Sequence, residues 1–379
     1  MRFLHTADWQ IGTQFGQFTA EETAHLTEAR FETVRRIASL VTQRKVDAVL
    51  VAGDVFDQQT VSDTVIRKLF GALTGYAGPW FMLPGNHDAA LAESVWTRAQ
   101  RLGCVPANVK LLLEAGVTPL GAANGAAPAA LLHAPLTQRN TYDDTTEFFD
   151  AIETPADCLR IGIAHGSVSG ILQEGIDSAN PIAPSRAATA RLDYLALGDW
   201  HGVYEVNPRI WYAGTPEQDR FRANEPGHVL DVRIDAPGDA PVVERVHIGK
   251  YRWKDWTPEI AVLSDVELLR EQLRALNEND VLRLRVTGSA TLADAEAVHV
   301  AIEEARARVR ALRASASELR VLPTEDDLAA LGARSGYLAG VVARLRALQA
   351  DETKAAAASE ALLLLAGFQR ENQREARAA

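Results

Sequence analysis

Cysteine is scarce in this chain, with only Cys104 and Cys158 among 379 residues. They sit in no metal-type spacing, so a disulfide framework is not indicated and a reducing, cytoplasmic setting is expected. An excess of basic residues is also lacking, since 39 Lys and Arg face 50 Asp and Glu for a net charge of -11. Proteins that clamp nucleic acid through many phosphates are usually basic, because counterion release drives such binding. Any nucleic-acid role must therefore rest on local charge. The chain enters a strand pattern almost at once, without the apolar stretch of a secretory signal. Residues 115–136 carry no charge and could span a bilayer, but they are rich in Gly, Ala and Pro and include His133. They predict a surface loop with short strands, and no membrane partner is expected. Internal repeats and low-complexity blocks are absent too.

What is present is the composition of an ordinary globular protein, 47% hydrophobic and 23% charged, long enough for one large core and a smaller second unit. Residues 1–250 alternate strands with helices over 20–44, 59–75 and 90–102, then turn strand-rich after residue 193. This predicts an α/β fold built as a layered sandwich. Residues 251–323 form a second part, with a strand over 281–286, a charged helix over 292–314 and a returning strand over 318–322. From 324 to 379 the pattern is helical, with Leu328, Leu331, Leu338, Val341, Val342 and Leu345 at helix-like spacing. An Ala- and Leu-rich segment follows to Phe368, and then a polar tail with Arg370, Arg374 and Arg377. Pro and Gly within 236–241 mark a hairpin.

Five apolar runs each stop at a polar cluster beside glycine, as buried strands do when they deliver ligands to one sheet edge. In order they supply Asp8 with Gln10, then Asp54, then Asn86 with His87, then His165, and finally Asp199 with His201. Any one of these histidines alone is more often a hydrogen-bonded loop or core residue. Seven compatible residues besides His87, in order on strand ends, point to a metal centre. Asp57 and Asp88 read as residues that orient backbone or ligand groups around it. His5, His25, His133, His228 and His247 fall outside the constellation. Trp9 and Trp200 sit between ligand positions, where packing is the first reading and base stacking the second.

Splitting a phosphate ester requires an activated water, neutralised phosphoryl oxygens and help for the departing oxygen. Two cations roughly 3.5 to 4 Å apart supply the first two needs. Asp54 is then the candidate for a carboxylate bridging both. Imidazole, carboxylate and amide donors without thiolate suit manganese, iron or zinc, with manganese preferred here. A non-ligand histidine beside the site can protonate the leaving group.

These segments resemble the calcineurin-like metallophosphoesterases. Gly53-Asp54-Val55-Phe56-Asp57, Gly85-Asn86-His87-Asp88 and Tyr212-Ala213-Gly214-Thr215-Pro216-Glu217 are most similar to the branch of SbcD-like and YhaO-like DNA repair nucleases. The resemblance covers about the first 250 residues. It implies a two-sheet sandwich flanked by helices, a small cap, and a helical tail that docks on an SbcC-like or YhaN-like coiled-coil ATPase. It also implies that Asp8, Gln10, Asp54 and His201 surround one metal, that Asp54, Asn86, His165 and Asp199 surround the other, and that His87 is the catalytic histidine.

Two positions depart from the family pattern. Gln10 stands where Asp-x-His is usual, and Asp199 where Gly-His-x-His is usual. Asp199 is a competent ligand. The neutral amide of Gln10 binds less strongly than imidazole, so one site is expected to be looser. Basic and aromatic residues beyond the last motif, Arg209, Trp211, Arg220, Phe221, Arg222, Lys250, Tyr251, Arg252, Trp253, Lys254 and Trp256, can track a strand and stack bases. A solvated sheet edge is the competing reading, and self-association competes with an ATPase partner. The leading expectation is a DNA phosphodiesterase. A phosphoesterase for nucleotides or other small esters is favoured by the acidity, and a weakened DNA or ATPase adaptor by Gln10 and Asp199.

Overall fold

A computed structural model describes residues 1–121, 128–170, 179–222, 224–322 and 336–351, with 353–355, 357–362, 364, 365 and 368 of the segment beyond. It divides into two compact units, Met1–Arg252 and Trp253–Ala379.

In the first unit the elements run β1 (Arg2–Thr6), α1 (Ala20–Arg44), β2 (Ala48–Ala52), α2 (Asp63–Ala72), β3 (Trp80–Leu83), α3 (Val95–Arg101) and β4 (Val109–Leu111). Then come β5 (Gly116–Leu120), β6 (Ala129–Ala134), β7 (Leu159–His165), β8 (Ser167–Val168), β9 (Pro181–Ile182), α4 (Arg186–Thr189) and β10 (Tyr194–Gly198). The unit closes with β11 (Tyr204–Asn207), β12 (Ile210–Tyr212), β13 (His228–Arg233) and β14 (Val242–His247). One six-stranded sheet has the order β14-β13-β1-β2-β3-β4, and the other β11-β12-β10-β7-β6-β5. This is the two-sheet α/β sandwich expected.

Alternation along the strands explains the layers. In β2, Val49 and Val51 join Leu4, Trp80 and Met82 in a core with α1, α2 and α3, while Ala48, Leu50 and Ala52 turn to the second sheet. There they meet Leu131, Ile161, Ile163 and Ala196. Both faces of the central strands are buried, so these strands read as unbroken apolar runs. The ends of β1, β2 and β3 lie side by side because the three strands are parallel. In the second sheet β7 and β10 are also parallel.

The helix over 20–44 has its expected bounds, with a Thr19–Glu22 capping box at the start and Lys45 left-handed at φ 53° at the end. The expected helices over 59–75 and 90–102 are shorter. Ser62 and Ser94 accept hydrogen bonds from Val65 and Thr97 N–H groups and so start α2 and α3 later. The hairpin expected around 236–241 joins β13 to β14. Residues 122–127 of the uncharged stretch lie outside the described residues, and β5 and β6 flank them.

The second unit contains β15 (Arg252–Trp256), β16 (Glu259–Ile260), α5 (Leu263–Arg274), β17 (Asp280–Ala290), α6 (Leu292–Arg306), β18 (Ala311–Val321) and α7 (Gly336–Gln349). β17 pairs in parallel with β16 on one side and β18 on the other. Leu282, Leu284 and Val286 pack with Val266, Leu269, Val298 and Ile302 of α5 and α6. The charged helix expected to 314 stops at Arg306, because Ala311–Ala314 pair with Val281–Leu284 and become strand. Val342 of α7 packs with Leu362. Leu328, Leu331, Arg370, Arg374 and Arg377 lie outside the described residues. Among the described residues, no helix is long and apolar enough to cross a membrane.

Candidate metal centre

The strand ends of both sheets meet in one place. Beyond β1 and β2 the chain continues in parallel register, with Asp8 N donating to Gly53 O (3.0 Å), Gln10 N to Asp54 O (3.0 Å) and Ile11 N to Val55 O (2.9 Å). Asp8 lies at φ 52°, Gln10 at 48°, Asp54 at 51° and Asp199 at 104°. These four are half of the eight non-glycine residues with positive φ among the described residues. Strained backbone of this kind persists where the surroundings over-determine it, commonly at functional sites. Gly85 sits so close to the cluster that a Cβ there would fall 2.3 Å from Asp54 Oδ1.

Asp8, Asp54 and His165 are all buried and offer ligand atoms that lie within 4.8 Å of one another. His165 Nδ1 is 2.9 Å from the Ala52 carbonyl, which fixes the proton on that nitrogen and turns Nε2 toward the carboxylates. Nε2 is 3.0 Å from the Asn86 side chain, 3.6 Å from Asp54 Oδ1 and 3.9 Å from Asp199 Oδ1. Burial alone would lower the His165 pKa, but Asp54, Asp8 and Asp199 outweigh it and push it up to about 9. Burial and the Asp54 charge hold Asp8 above the usual carboxylate range, against the opposing pull of His201 and His165. Asp199, whose amide donates to Asp8 Oδ1 at 3.1 Å, is raised chiefly by burial. Gln10 Nε2 donates to Asp54 Oδ2 at 2.8 Å, while its buried Oε1 has no hydrogen-bond partner among the described residues.

His87 differs from these. Its side chain is one-third exposed, its Nδ1 is 2.7 Å from the Asp57 carbonyl, and its Nε2 is 4.0 Å from Asp54 Oδ2. Asp57 thus orients His87 through its backbone. Asp88 accepts from Gly85 N (2.7 Å) and Phe56 N (3.0 Å), tying together the loops that carry Asn86 and Asp54.

The residues that the sequence did not point to surround His201. Its Nδ1 is 3.3 Å from Asp219 Oδ2, so Asp219 can hold the ring as carboxylates hold metal-ligating histidines. Asp219 also faces Arg30 Nη2 at 3.5 Å and is clasped by Arg220 at 3.0 and 3.1 Å. Burial would raise Asp219, but its contact with His201 and the Arg30 and Arg220 charges hold it far below the usual range. Arg30 is buried and donates to the Trp9 carbonyl at 2.7 Å. A charged residue within the apolar stripe of Leu26, Val34, Ile37 and Val41 was a legible signal for Arg30. Asp219 had none, because its partners come from distant segments.

The basic residues separate. Arg220 is held on Asp219 at 3.0 Å, and Asp219 lies 3.3 Å from His201, so Arg220 borders the cluster. Arg222 lies over the Trp200 ring, 4.8 Å from its centroid. Arg209 is at the other end of the second sheet, ahead of β12, held by the Asp193 and Gly238 carbonyls at 3.1 and 2.6 Å. Lys250 pairs with Glu32 at 2.7 Å, and Arg252 is exposed. Trp9 is buried edge-on against Trp80, with Nε1 donating to Thr6 Oγ1 at 2.9 Å, so packing describes it fully. His5 is buried between Tyr194 Oη (2.9 Å) and the Leu197 carbonyl (3.1 Å), clear of the cluster.

Comparison with known proteins agrees with this geometry. The calcineurin-like phosphoesterase family model matches residues 1–232. Over 128 residues the chain is 38% identical to the SbcD component of the SbcCD nuclease from Rhodobacter capsulatus, covering 32% of this chain and 27% of that protein. It is 25% identical over 228 residues to the uncharacterized metallophosphoesterase YhaO of Bacillus subtilis, covering 57% and 53%. It is 25% identical over 254 residues to the DNA double-strand break repair protein Mre11 of Methanosarcina acetivorans, covering 63% and 37%. The matched region thus spans about half or less of each of these relatives. With more than half of its length matched by the family model, the chain belongs to the calcineurin-like phosphoesterases.

Proposed function

We propose that the protein is a metal-dependent DNA phosphodiesterase in which residues 1–250 form the nuclease, 251–323 a cap-like unit and 324–379 a helical segment that docks an SbcC-like or YhaN-like coiled-coil ATPase. The observation that carries the catalytic part is a convergence of acceptors. Buried Asp8 and Asp54, the Nε2 of His165 and the orphaned Oε1 of Gln10 gather at one sheet edge. Buried like charges are costly unless a cation joins them, and this donor set fits divalent manganese, with iron or zinc as alternatives. Asp8, Gln10, Asp54 and His201 would hold one ion, and Asp54, Asn86, His165 and Asp199 the second, with Asp54 shared.

When bound, such ions supply an activated water and neutralise charge on the phosphoryl oxygens. The protein's own residues supply the rest. Asp219 keeps the His201 ring in one orientation, and the Ala52 carbonyl does the same for His165. His87, whose Nδ1–H is committed to the Asp57 carbonyl, presents Nε2 to the site, and its imidazolium form would give the Nε2 proton to the departing 3′ oxygen. Arg220, held on Asp219 beside His201, is placed to meet a phosphate. The names SbcCD nuclease and DNA double-strand break repair protein Mre11 among the relatives support DNA as substrate and repair as setting.

A second reading, hydrolysis of nucleotides or other small phosphate esters, is favoured by the net charge of -11. Metal analysis with parallel assays on bis-p-nitrophenyl phosphate, mononucleotides, single-stranded DNA and double-stranded DNA decides between them. Manganese-dependent cleavage of DNA is expected. Turnover of mononucleotides alone would replace the DNA reading.

A further inference from the structure

The strongest feature that the metal site leaves unexplained is a cation on an indole at its rim. Trp200 lies between the two candidate ligands Asp199 and His201, so its position is fixed within one residue of the centre on either side. It is only half-buried, and Tyr204, 40% exposed, tilts toward it with ring centroids 6.2 Å apart. Over its ring lies the Arg222 guanidinium, 4.8 Å from the centroid. Arg222 arrives from the turn that carries Asp219, and its backbone N–H donates to the Arg220 carbonyl at 2.9 Å. Both halves of the stack are therefore tied to the residues that build the metal site.

Charge sharpens the point. Arg220 is clasped by Asp219 and Arg30 faces the same carboxylate, whereas Arg222 is exposed and forms no ion pair among the described residues. In a chain with 50 acidic and 39 basic side chains, a guanidinium that lies over a tryptophan and forms no ion pair among the described residues is notable. A cation held over an indole in this way loses little rotamer freedom when a planar group stacks on its outer face.

We propose that Trp200 and Arg222, with Tyr204 at the side, form a subsite for one unpaired nucleobase next to the phosphate held at the metals. This inference rests on the DNA reading above and narrows it. Stacking needs a base that has left its complement, so the substrate class is a single-stranded or frayed DNA end rather than intact duplex. Arg222 gives the base a planar partner, Trp200 keeps that plane in place, and sequence preference is weak because every base has a π-face.

The test measures binding of a fluorescein-labelled oligothymidylate with phosphorothioate linkages, and of the corresponding duplex, to the full manganese-loaded chain by anisotropy. Metal content is determined for every variant. Arg222→Ala and Trp200→Ala are expected to weaken single-strand binding roughly 5- to 100-fold. Trp200→Phe should retain most of it, and Arg222→Lys should behave like Arg222→Ala, because an ammonium keeps the charge but not the plane. Wild-type affinity in Arg222→Lys would show a charge contact only and overturn the stacking subsite. So would equal binding of single strand and duplex by the wild type. Should Trp200→Ala lose its metal, the Arg222 pair still decides the matter. Wild-type protein that hydrolyses bis-p-nitrophenyl phosphate yet neither binds nor cleaves DNA refutes the DNA reading itself. Wild-type protein that binds and cleaves DNA, with both alanine variants unchanged, refutes the subsite alone.

Discussion

The two units treat buried charge in opposite ways. In Trp253–Ala379 the fully buried acid Asp280 has Lys254 Nζ at 3.1 Å on the neighbouring strand and also accepts from Asn277 N at 2.9 Å. Among the described residues of that unit no non-glycine residue has positive φ. In Met1–Arg252, Asp8, Asp54 and Asp88 are buried within one neighbourhood, and four candidate ligands sit on left-handed backbone. One unit neutralises its acid as it folds. The other pairs Asp219 with Arg30 and Arg220 but also gathers Asp8, Asp54 and Asp88 in one place, a concentration of like charge that the proposed cation would relieve.

Removing the cation is the largest way to break this contrast. Asp54→Ala should leave both proposed metal positions empty and abolish hydrolysis of bis-p-nitrophenyl phosphate, while chelation of the wild type should raise amide exchange at the ends of β1, β2, β7 and β10. The core of the second unit should exchange as before. Uniform loosening of both units would show that the buried acids are ordinary structure.

His87→Ala should separate chemistry from metal binding within the same edge. Because its Nδ1 is held by the Asp57 carbonyl and its Nε2 is 4.0 Å from the nearest carboxylate oxygen, it is not expected to be a ligand. Metal content should stay at the wild-type level and turnover fall by about 10² to 10⁴. Metal loss equal to that of Asp54→Ala would remove His87 from this role.

Much of this edge was legible because strands buried on both faces read as apolar runs and stop where ligands begin. α1 was legible to the residue because Thr19 and Glu22 form a local capping box. α5 was not, since Val262 at its N-cap gives no side-chain cap and Leu263 and Leu268 are exposed. Tertiary pairing overrode local preference at Ala311–Ala314, which reads as helix but pairs with β17. The contacts of Asp219 with Arg30 and His201 escaped for another reason, since the three residues lie far apart in sequence and meet only in the fold.

Titration sharpens the comparison further. In the ion-free protein His165 is pushed up to about 9, above its ordinary value, so its contribution is fully present below about pH 6.5 and is lost as pH rises toward 9. The raised Asp8 acts in the same direction, because its carboxyl is easier to keep protonated in the fold than in the open chain. Chelated protein should therefore lose on the order of 2–3 kcal/mol between pH 6 and 9. Metal-loaded protein should be flat or rise over that range, since ligands must be deprotonated to bind. Parallel thermal melts with and without chelator check this, and a parallel decline in both would deny the cluster its cation.

Gln10→His should change one position by a smaller amount. The amide donates to Asp54 Oδ2 through Nε2 and leaves Oε1 unpartnered, so imidazole there would trade a weak neutral ligand for a stronger one. Manganese affinity of one site should rise about 10-fold, within the range that changes around metal ligands produce. A calorimetric titration identical to that of the wild type would take Gln10 out of the ligand set.

The smallest effect on catalysis is expected from deleting residues 326–379. No proposed ligand lies there, and no described residue of that segment belongs to the core of Leu282, Leu284, Val266 and Val298. In α7, Val342 is buried against Leu362, yet Tyr337 is 81% exposed, Leu364 57% and Phe368 61%. Exposed apolar side chains such as these fit a partner helix better than bulk solvent, and the proposed partner is the coiled-coil ATPase. The truncated chain should hydrolyse bis-p-nitrophenyl phosphate nearly as the full chain does but no longer co-purify with that ATPase. Retained co-purification would place the docking surface elsewhere, a shift from dimer to monomer on truncation would assign the segment to self-association, and loss of metal or of folding would make it part of the core.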